Sequence, residues 1–270
     1  MAVRTILLHA APDSGFADRL AFAVRLARQT GATLVGLYTL YPTGVPRVGR
    51  ALSIYINELK QEARAKEAEL RRSFETAVAE ARISAEWRTV EGEVTEALKE
   101  AAYFADVAVV SETVGGTMDD DLASTMPEHL PLLSDGPVIV VPTGKPVPAS
   151  IGRVLIAWKP SREAGHAVRF ALPLLALADK VEVLTVDEPG VDSAGGGALA
   201  AHLAAHGVKA EHKHIEAGYA EKAIRAEAAE FKPDLLVLGA YSRPRLAEFV
   251  LGGVTRSMLD SAPAPLFFAH

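Results

Sequence analysis

The sequence predicts an α/β protein built from two successive copies of one doubly wound unit. Two observations carry this expectation. Short apolar runs alternate with amphipathic helical stretches, the pattern of a mostly parallel sheet with helices on both faces. Six elements then recur in the same order after a proline-rich linker, Thr143 to Ser150, and recurrence in order marks an internal duplication.

In the first half, Ile6 to Ala10 is a buried strand ended by the turn Ala11-Pro12-Asp13-Ser14-Gly15. Phe16, Leu20, Val24 and Ala27 recur at helical spacing up to Gly31, a helix-closing residue. Thr33 to Tyr38 is the second strand, and a Pro/Gly loop from Pro42 to Gly49 follows. Leu52, Ile56, Leu59, Ala63, Leu70, Phe74 and Val78 mark a long helix, with Glu62–Lys66 and Glu67–Arg71 placed as i,i+4 ion pairs on its wet face. Ala85 to Val90 is a strand, Val94 to Phe104 a helix and Val107 to Val110 a strand. A helix near Leu122 to Leu133 precedes the last strand, Pro137 to Val141.

The second half repeats the order. Val154 to Ala157 matches Ile6 to His9, the helix from Ser161 to Ala178 matches that from Phe16 to Thr30, and Val181 to Val186 matches Thr33 to Tyr38. Glu216 to Phe231 matches Glu91 to Phe104, and a strand ending at Gly239 and a strand ending at Phe268 complete the series. Asp106 and Asp234 precede the fourth strand in both halves, where a turn role outweighs catalysis. Right-handed crossovers then favour the order 3-2-1-4-5 in each half, with the direction switching between strands 1 and 4. Ligands bind at such a switch, beyond the C-terminal strand ends.

Bulk composition narrows the function classes. The 270 residues, 49% hydrophobic and 23% charged, suit a globular protein with a full core. A net charge of −6 and 6% aromatics argue against nucleic acid and anionic membrane as partners. Cysteine is absent, which excludes disulfides, thiolate nucleophiles and Cys-ligated metals. The chain enters a strand directly from Met1 and has no apolar run of the ~18–20 residues a membrane span needs, so a cytoplasmic location is expected.

One stretch carries the functional reading. Gly239 to Thr255 reads GAYSRPRLAEFVLGGVT, after the apolar run Leu235 to Leu238 and before the helical run Thr255 to Asp260. A buried strand feeding a glycine-marked loop that opens a helix is a phosphate-binding arrangement. Glycine permits close main-chain approach, and free N–H groups at the helix start face the anion. Lys159 and Arg243 would add positive charge.

These residues resemble the universal stress protein family in its tandem form. The family's fourth-strand signature is G-x2-G-x9-G followed by Ser or Thr. Here Gly239 takes the first position, Ser242 stands in the second, Gly252 in the third, and Gly253 where Ser or Thr is usual. The opening VLIAWKPSREA is similar to the family's first strand and turn, with Lys159 in place of its usual Asp. The resemblance implies two flavodoxin-like (Rossmann-like) domains, residues 1–143 and 151–270, each a five-stranded parallel sheet of order 3-2-1-4-5, joined as an intramolecular pseudo-dimer through their fifth strands. It implies a nucleotide site at Ala157, Lys159, Val186, Gly239, Ser242, Arg243, Gly252, Gly253, Val254 and Thr255, taking ATP with Mg. The first half has lost the signature: Ser111 to Asp121 cannot be laid on it, and Asp119-Asp120-Asp121 would repel a polyphosphate.

No catalytic constellation is found. Ser161 precedes a helix and reads as its cap. Walker and G-x-G-x-x-G loops are absent. His202/His206 share a helix face and His212/His214 a strand face, and a metal would need both pairs to converge; the expected strand is an edge, where solvent-facing histidines are common, so no metal is assigned. The expected function is a non-enzymatic stress-response regulator, with at most slow ATP hydrolysis, that binds an adenine nucleotide in its second domain and self-associates as a homodimer. The alternative is a nucleotide-free interaction or scaffold module of the same family, acting on protein partners.

Overall fold

The computed structural model describes residues 2–40, 51–112, 130–134, 136–187, 195–239 and 253–269, with the backbone alone for 51–60 and 132–133. The expected loop Pro42–Gly49, the run Asp119–Asp121 and most of the helix near Leu122 lie outside the described residues.

The first half runs β1 (Thr5–Ala10), α1 (Phe16–Thr30), β2 (Thr33–Thr39), α2 (Ala51–Ala81), β3 (Ala85–Val90), α3 (Val94–Ala102), β4 (Val107–Ser111), α4 (Leu130–Leu133) and β5 (Val138–Val141). The second runs β6 (Arg153–Trp158), α5 (Arg162–Leu175), β7 (Lys180–Asp187), α6 (Gly196–Ala205), β8 (Ala210–Glu216), α7 (Ala220–Phe231), β9 (Leu235–Gly239), α8 (Gly253–Asp260) and β10 (Leu266–Ala269). All ten strands form one sheet of order β3-β2-β1-β4-β5-β10-β9-β6-β7-β8. Each half therefore has the expected 3-2-1-4-5 order.

Pairing is parallel except where β5 meets β10 antiparallel, with Val140 opposite Leu266 and Val138 opposite Phe268. Every residue of these two strands is buried. Their pairing removes two apolar edges that would otherwise invite aggregation. Successive residues point to opposite faces, which splits the core in two. One face packs under α1, α2, α5 and α6, with Phe22, Phe74, Ile139, Val168, Leu203 and Phe267 among its members. The other packs under α3, α4, α7 and α8, with Leu98, Val140, Ile224, Leu236, Met258 and Phe268.

Local chemistry fixes several joints. Gly31 closes α1 at φ 73°, a left-handed conformation that glycine adopts without strain. Ser161 caps α5 by accepting from the Ala164 N–H at 3.1 Å. Asp106 Oδ2 accepts from the N–H groups of Arg4 and Thr5 at 2.7 and 2.9 Å. In the other half Asp234 Oδ2 accepts from Gly152 and Arg153 at 3.0 and 2.8 Å. The duplicated aspartates thus pin the entry of the first strand to that of the fourth. The linker is tied to α1, because the Arg25 guanidinium donates to the carbonyls of Val147 and Pro148 and Gln29 bonds the Ile151 main chain in both directions.

Three expectations need correction. Glu62 and Lys66 pair at 2.7 Å, but Arg71 turns to Glu75 at 2.8 Å, because Glu67 instead accepts from Trp87 Nε1 and Thr89 on β3. The helix expected through Phe104 ends at Ala102 and that expected through Ala178 ends at Leu175.

Candidate functional site

In the second half the chain direction switches between β6 and β9. Register sets Ala157 beside Leu238, so Trp158 stands level with Gly239 at the C-terminal ends of the two strands. α8 begins at Gly253, on the chain that returns from β9, so its N-terminal N–H groups open a helix of eight residues. That end carries the positive pole of the helix and main-chain donors unsatisfied within it.

Seven of the ten expected site residues fall in described segments: Ala157, Lys159, Val186, Gly239, Gly253, Val254 and Thr255. Ser242, Arg243 and Gly252 lie outside the described residues. Ala157, Val186, Leu238 and Val254 join one apolar cluster, on the sheet face covered by α7 and α8. Lys159 is exposed and forms no ion pair among the described residues. Gly253 is exposed, and a Cβ built on it would meet no described atom within 4 Å. Thr255 is buried in the first turn of α8.

Gly239 has a packing reason of its own. A Cβ there would stand 2.5 Å from the Ala164 N and 2.9 Å from the Ala164 Cα. The first turn of α5 therefore lies directly on the end of β9, and only glycine permits that approach. Trp158 was missed from the sequence. Its Nε1 is buried with no hydrogen-bond partner and lies 3.6 Å from the Cβ position of Gly195. An aromatic residue immediately before Lys159 at a strand end was the available signal.

The corresponding end of the first half is built differently. Arg19 is fully buried, and its Nε donates to His9 O at 2.7 Å while its other nitrogens hold the Asp13 carboxylate at 3.1 and 3.3 Å. His9 is 5% exposed; burial first, and the Arg19 charge second, push its pKa well below the ordinary imidazole value. Gly15 packs against Ser111 and Thr143, whose hydroxyl oxygens lie 2.9 and 2.7 Å from its Cβ position.

The histidine pairs stay separate. His202 and His206 stack edge-on along α6 at 4.8 Å between ring centroids. His212 Nε2 and His214 Nδ1 both bond Thr185 Oγ1, at 2.9 and 3.0 Å, and His214 Nε2 lies 3.4 Å from Asp187 Oδ2. Among the described residues no group of three or more His, Cys, Asp or Glu side chains is arranged to hold a metal ion. Nor, among them, is any helix long and apolar enough to cross a membrane.

Residues 197–270 match the model of the universal stress protein family. No curated protein matches the chain. Among solved structures, a universal stress protein from Archaeoglobus fulgidus superposes with TM-score 0.78 at 20% identity, over 99% of this chain and 96% of that one. A candidate universal stress protein from Pseudomonas aeruginosa gives 0.61 at 19%, over 99% and 93%. A functionally unknown protein from the same species gives 0.59 at 19%, over 99% and 92%. The resemblance to the universal stress protein family in its tandem form is thus borne out: the family's sequence model falls within the second repeat, and the whole chain folds as a solved universal stress protein does.

Proposed function

We propose that the second half, residues 151–270, binds an adenine nucleotide, ATP with Mg²⁺, at the switch between β6 and β9, and that the protein acts as a cytoplasmic, non-enzymatic stress-response regulator. The carrying observation is the start of α8 at an exposed Gly253, on the chain that returns from the β9 end of that switch. Main-chain N–H groups at a helix start receive phosphate oxygens, and a glycine lets them come close. Lys159, exposed just after the end of β6 and without an ion pair among the described residues, adds a cation at that strand end. Gly252, Ser242 and Arg243 complete the proposed cradle from the sequence spacing, and Ala157, Val186 and Val254 form its apolar wall. The first half, 1–143, serves in this reading as a nucleotide-free structural partner.

A second reading has one specific support. The contact of Gly239 with Ala164 explains the first signature glycine without any ligand. The protein would then be a nucleotide-free interaction module. Isothermal titration of the full chain with ATP and Mg²⁺ decides between them. Saturable heat in the micromolar range, abolished by Gly252→Val, is expected; absence of heat leaves the interaction module.

A further inference from the structure

Glu182 and Glu227 are the two buried carboxyl groups among the described residues of the second half, at 6% and 4% exposure. Glu182 lies on β7 between Leu155 of β6 and Glu211 of β8. α7 covers this face and brings the buried Glu227 close enough for its charge to act on Glu182. Two carboxylates can bond to each other only when one oxygen carries a proton to donate. Glu227 Oε2 accepts from Lys213 Nζ of β8 at 2.5 Å, so that cation is committed to Glu227 and not to Glu182. Glu182 Oε1 is buried with no hydrogen-bond partner.

The surrounding charges leave Glu182 without a cation of its own. From β8, Lys213 is shared between Glu227 and Glu230, the latter at 3.6 Å, and Glu211 faces Lys180 at 3.4 Å. From β7, Lys180 is spread between Glu211 and the ring of Phe231. From β6, Arg153 donates to Phe231 O and lies over the same ring. An ionised Glu182 would be a second negative charge in an apolar layer whose cations are already engaged.

We propose that Glu182 and Glu227 form a proton-dependent clasp, in which the shared proton holds α7 on strands β7 and β8 and its loss loosens α7 from the sheet. Burial first, then the Glu227 charge and the hydrogen bond, push the Glu182 carboxyl up to about 7, against the pull of Lys213 and Lys180. The clasp therefore works near neutrality. A raised carboxyl pKa means that the folded chain holds a proton the unfolded chain has released. Stability is then full below the unfolded value of 4.5 and is lost as pH rises through about 7. Loosening would reach α8, because Arg225 of α7 donates to the carbonyls of Ser257 and Ser261.

Amide hydrogen exchange of the full chain at pH 6 and pH 8, corrected for the intrinsic rate at each pH, tests the clasp. The difference in Glu182 protonation predicts about tenfold weaker protection over residues 223–231 at pH 8. Glu182→Gln supplies a permanent N–H donor to Glu227, so its protection should be equal at the two pH values. Equal corrected protection in the unaltered chain overturns the proposal, as does a Glu182→Gln chain that keeps the tenfold difference. Carboxyl ¹³C titration of Glu182 in the unaltered chain reads the proton directly: a midpoint near 7 is expected, and one below about 5.5 refutes the clasp.

Discussion

A methyl group at two glycines separates packing from ligand binding at the candidate site. At Gly239 the added carbon would stand 2.5 Å from the Ala164 N, 2.9 Å from its Cα and 3.0 Å from the Glu163 carbonyl carbon. All three atoms are main chain of the first turn of α5, which cannot swing aside as a flexible side chain would. α5 must therefore shift by about 1 Å to restore ordinary contact, and it carries Ala164, Ala167, Val168, Ala171, Leu174 and Leu175 into the core. Overpacking of this kind costs about 2–3 kcal/mol. For a chain of this size that is a fall in Tm of about 5–10 °C. At Gly253 the same methyl meets nothing within 4 Å. There Gly→Ala in a helix should leave stability unchanged or raise it by up to about 1 kcal/mol. The methyl would nevertheless stand where a phosphate oxygen approaches the main chain, so ATP affinity should fall by about tenfold, roughly 1.4 kcal/mol. Thermal unfolding followed by circular dichroism, together with titration calorimetry on both variants, reads all four quantities. If Gly239→Ala melts within about 1 °C of the unaltered chain, the close approach of α5 is wrong. Undiminished ATP binding by Gly253→Ala would move the phosphates elsewhere.

Two further outcomes are expected. Asp106→Ala and Asp234→Ala each remove an acceptor from two main-chain donors, and each should cost about 1–2 kcal/mol in urea unfolding. The two losses should add, because the aspartates sit in different halves and share no partner; strong non-additivity would refute independent pinning. His9 should remain neutral well below the ordinary imidazole range, seen as ring resonances whose titration is displaced to markedly lower pH than that of an exposed histidine. Its sign is opposite to that of Glu182: the unfolded chain takes up a proton the folded chain refuses, so stability falls as pH drops below about 6.5. His9→Gln should abolish that acid-side loss.

The strands were legible because burial on both faces writes them as unbroken apolar runs, as in Val107–Val110, Val138–Val141 and Leu235–Leu238. Duplication then supplied topology, since each half constrains the reading of the other. The Asp106 and Asp234 turns and the Ser161 cap were readable because their bonds reach short, sequence-coded distances from a strand or helix entry. Partners set by packing were not readable. Glu67 and Arg71 are spaced to pair, yet the indole of Trp87 and the Thr89 hydroxyl on β3 draw Glu67 away. Glu182 sits in a run that scans as an ordinary strand, and its burial depends on a helix whose Glu227 comes much later in the chain. Arg19 scans as one polar position of an amphipathic helix, although it is buried and bound to the end of β1. At the candidate site the helix start at Gly253 was readable from the glycine pair, whereas the fit of Gly239 to α5 was not, because it joins elements far apart in sequence.

The two repeats share one topology but finish their switch points in opposite ways, and this bears on which half can accept a ligand. The repeat aligns His9 with Ala157, Ala10 with Trp158 and Ser111 with Gly239. In the first half all three positions are buried, and Gly15 packs against Ser111 from the β1–α1 turn. Arg19 carries a positive charge there, but its guanidinium already holds Asp13 and the His9 carbonyl. A ligand there would have to compete with Asp13, whose half-exposed carboxylate already neutralises the buried guanidinium. In the second half the aligned positions are partly exposed, the next residue, Lys159, has no ion pair among the described residues, and no arginine fills the place of Arg19, where the repeat carries Gly165 or His166. The glycine of the tight contact has also changed sides, from the turn in the first half to the strand end in the second. That exchange seats the first turn of α5 directly on the end of β9. The two switch points therefore differ in their free charge: the second repeat exposes Lys159 beside its strand end, whereas the first holds Arg19 against Asp13 and the His9 carbonyl.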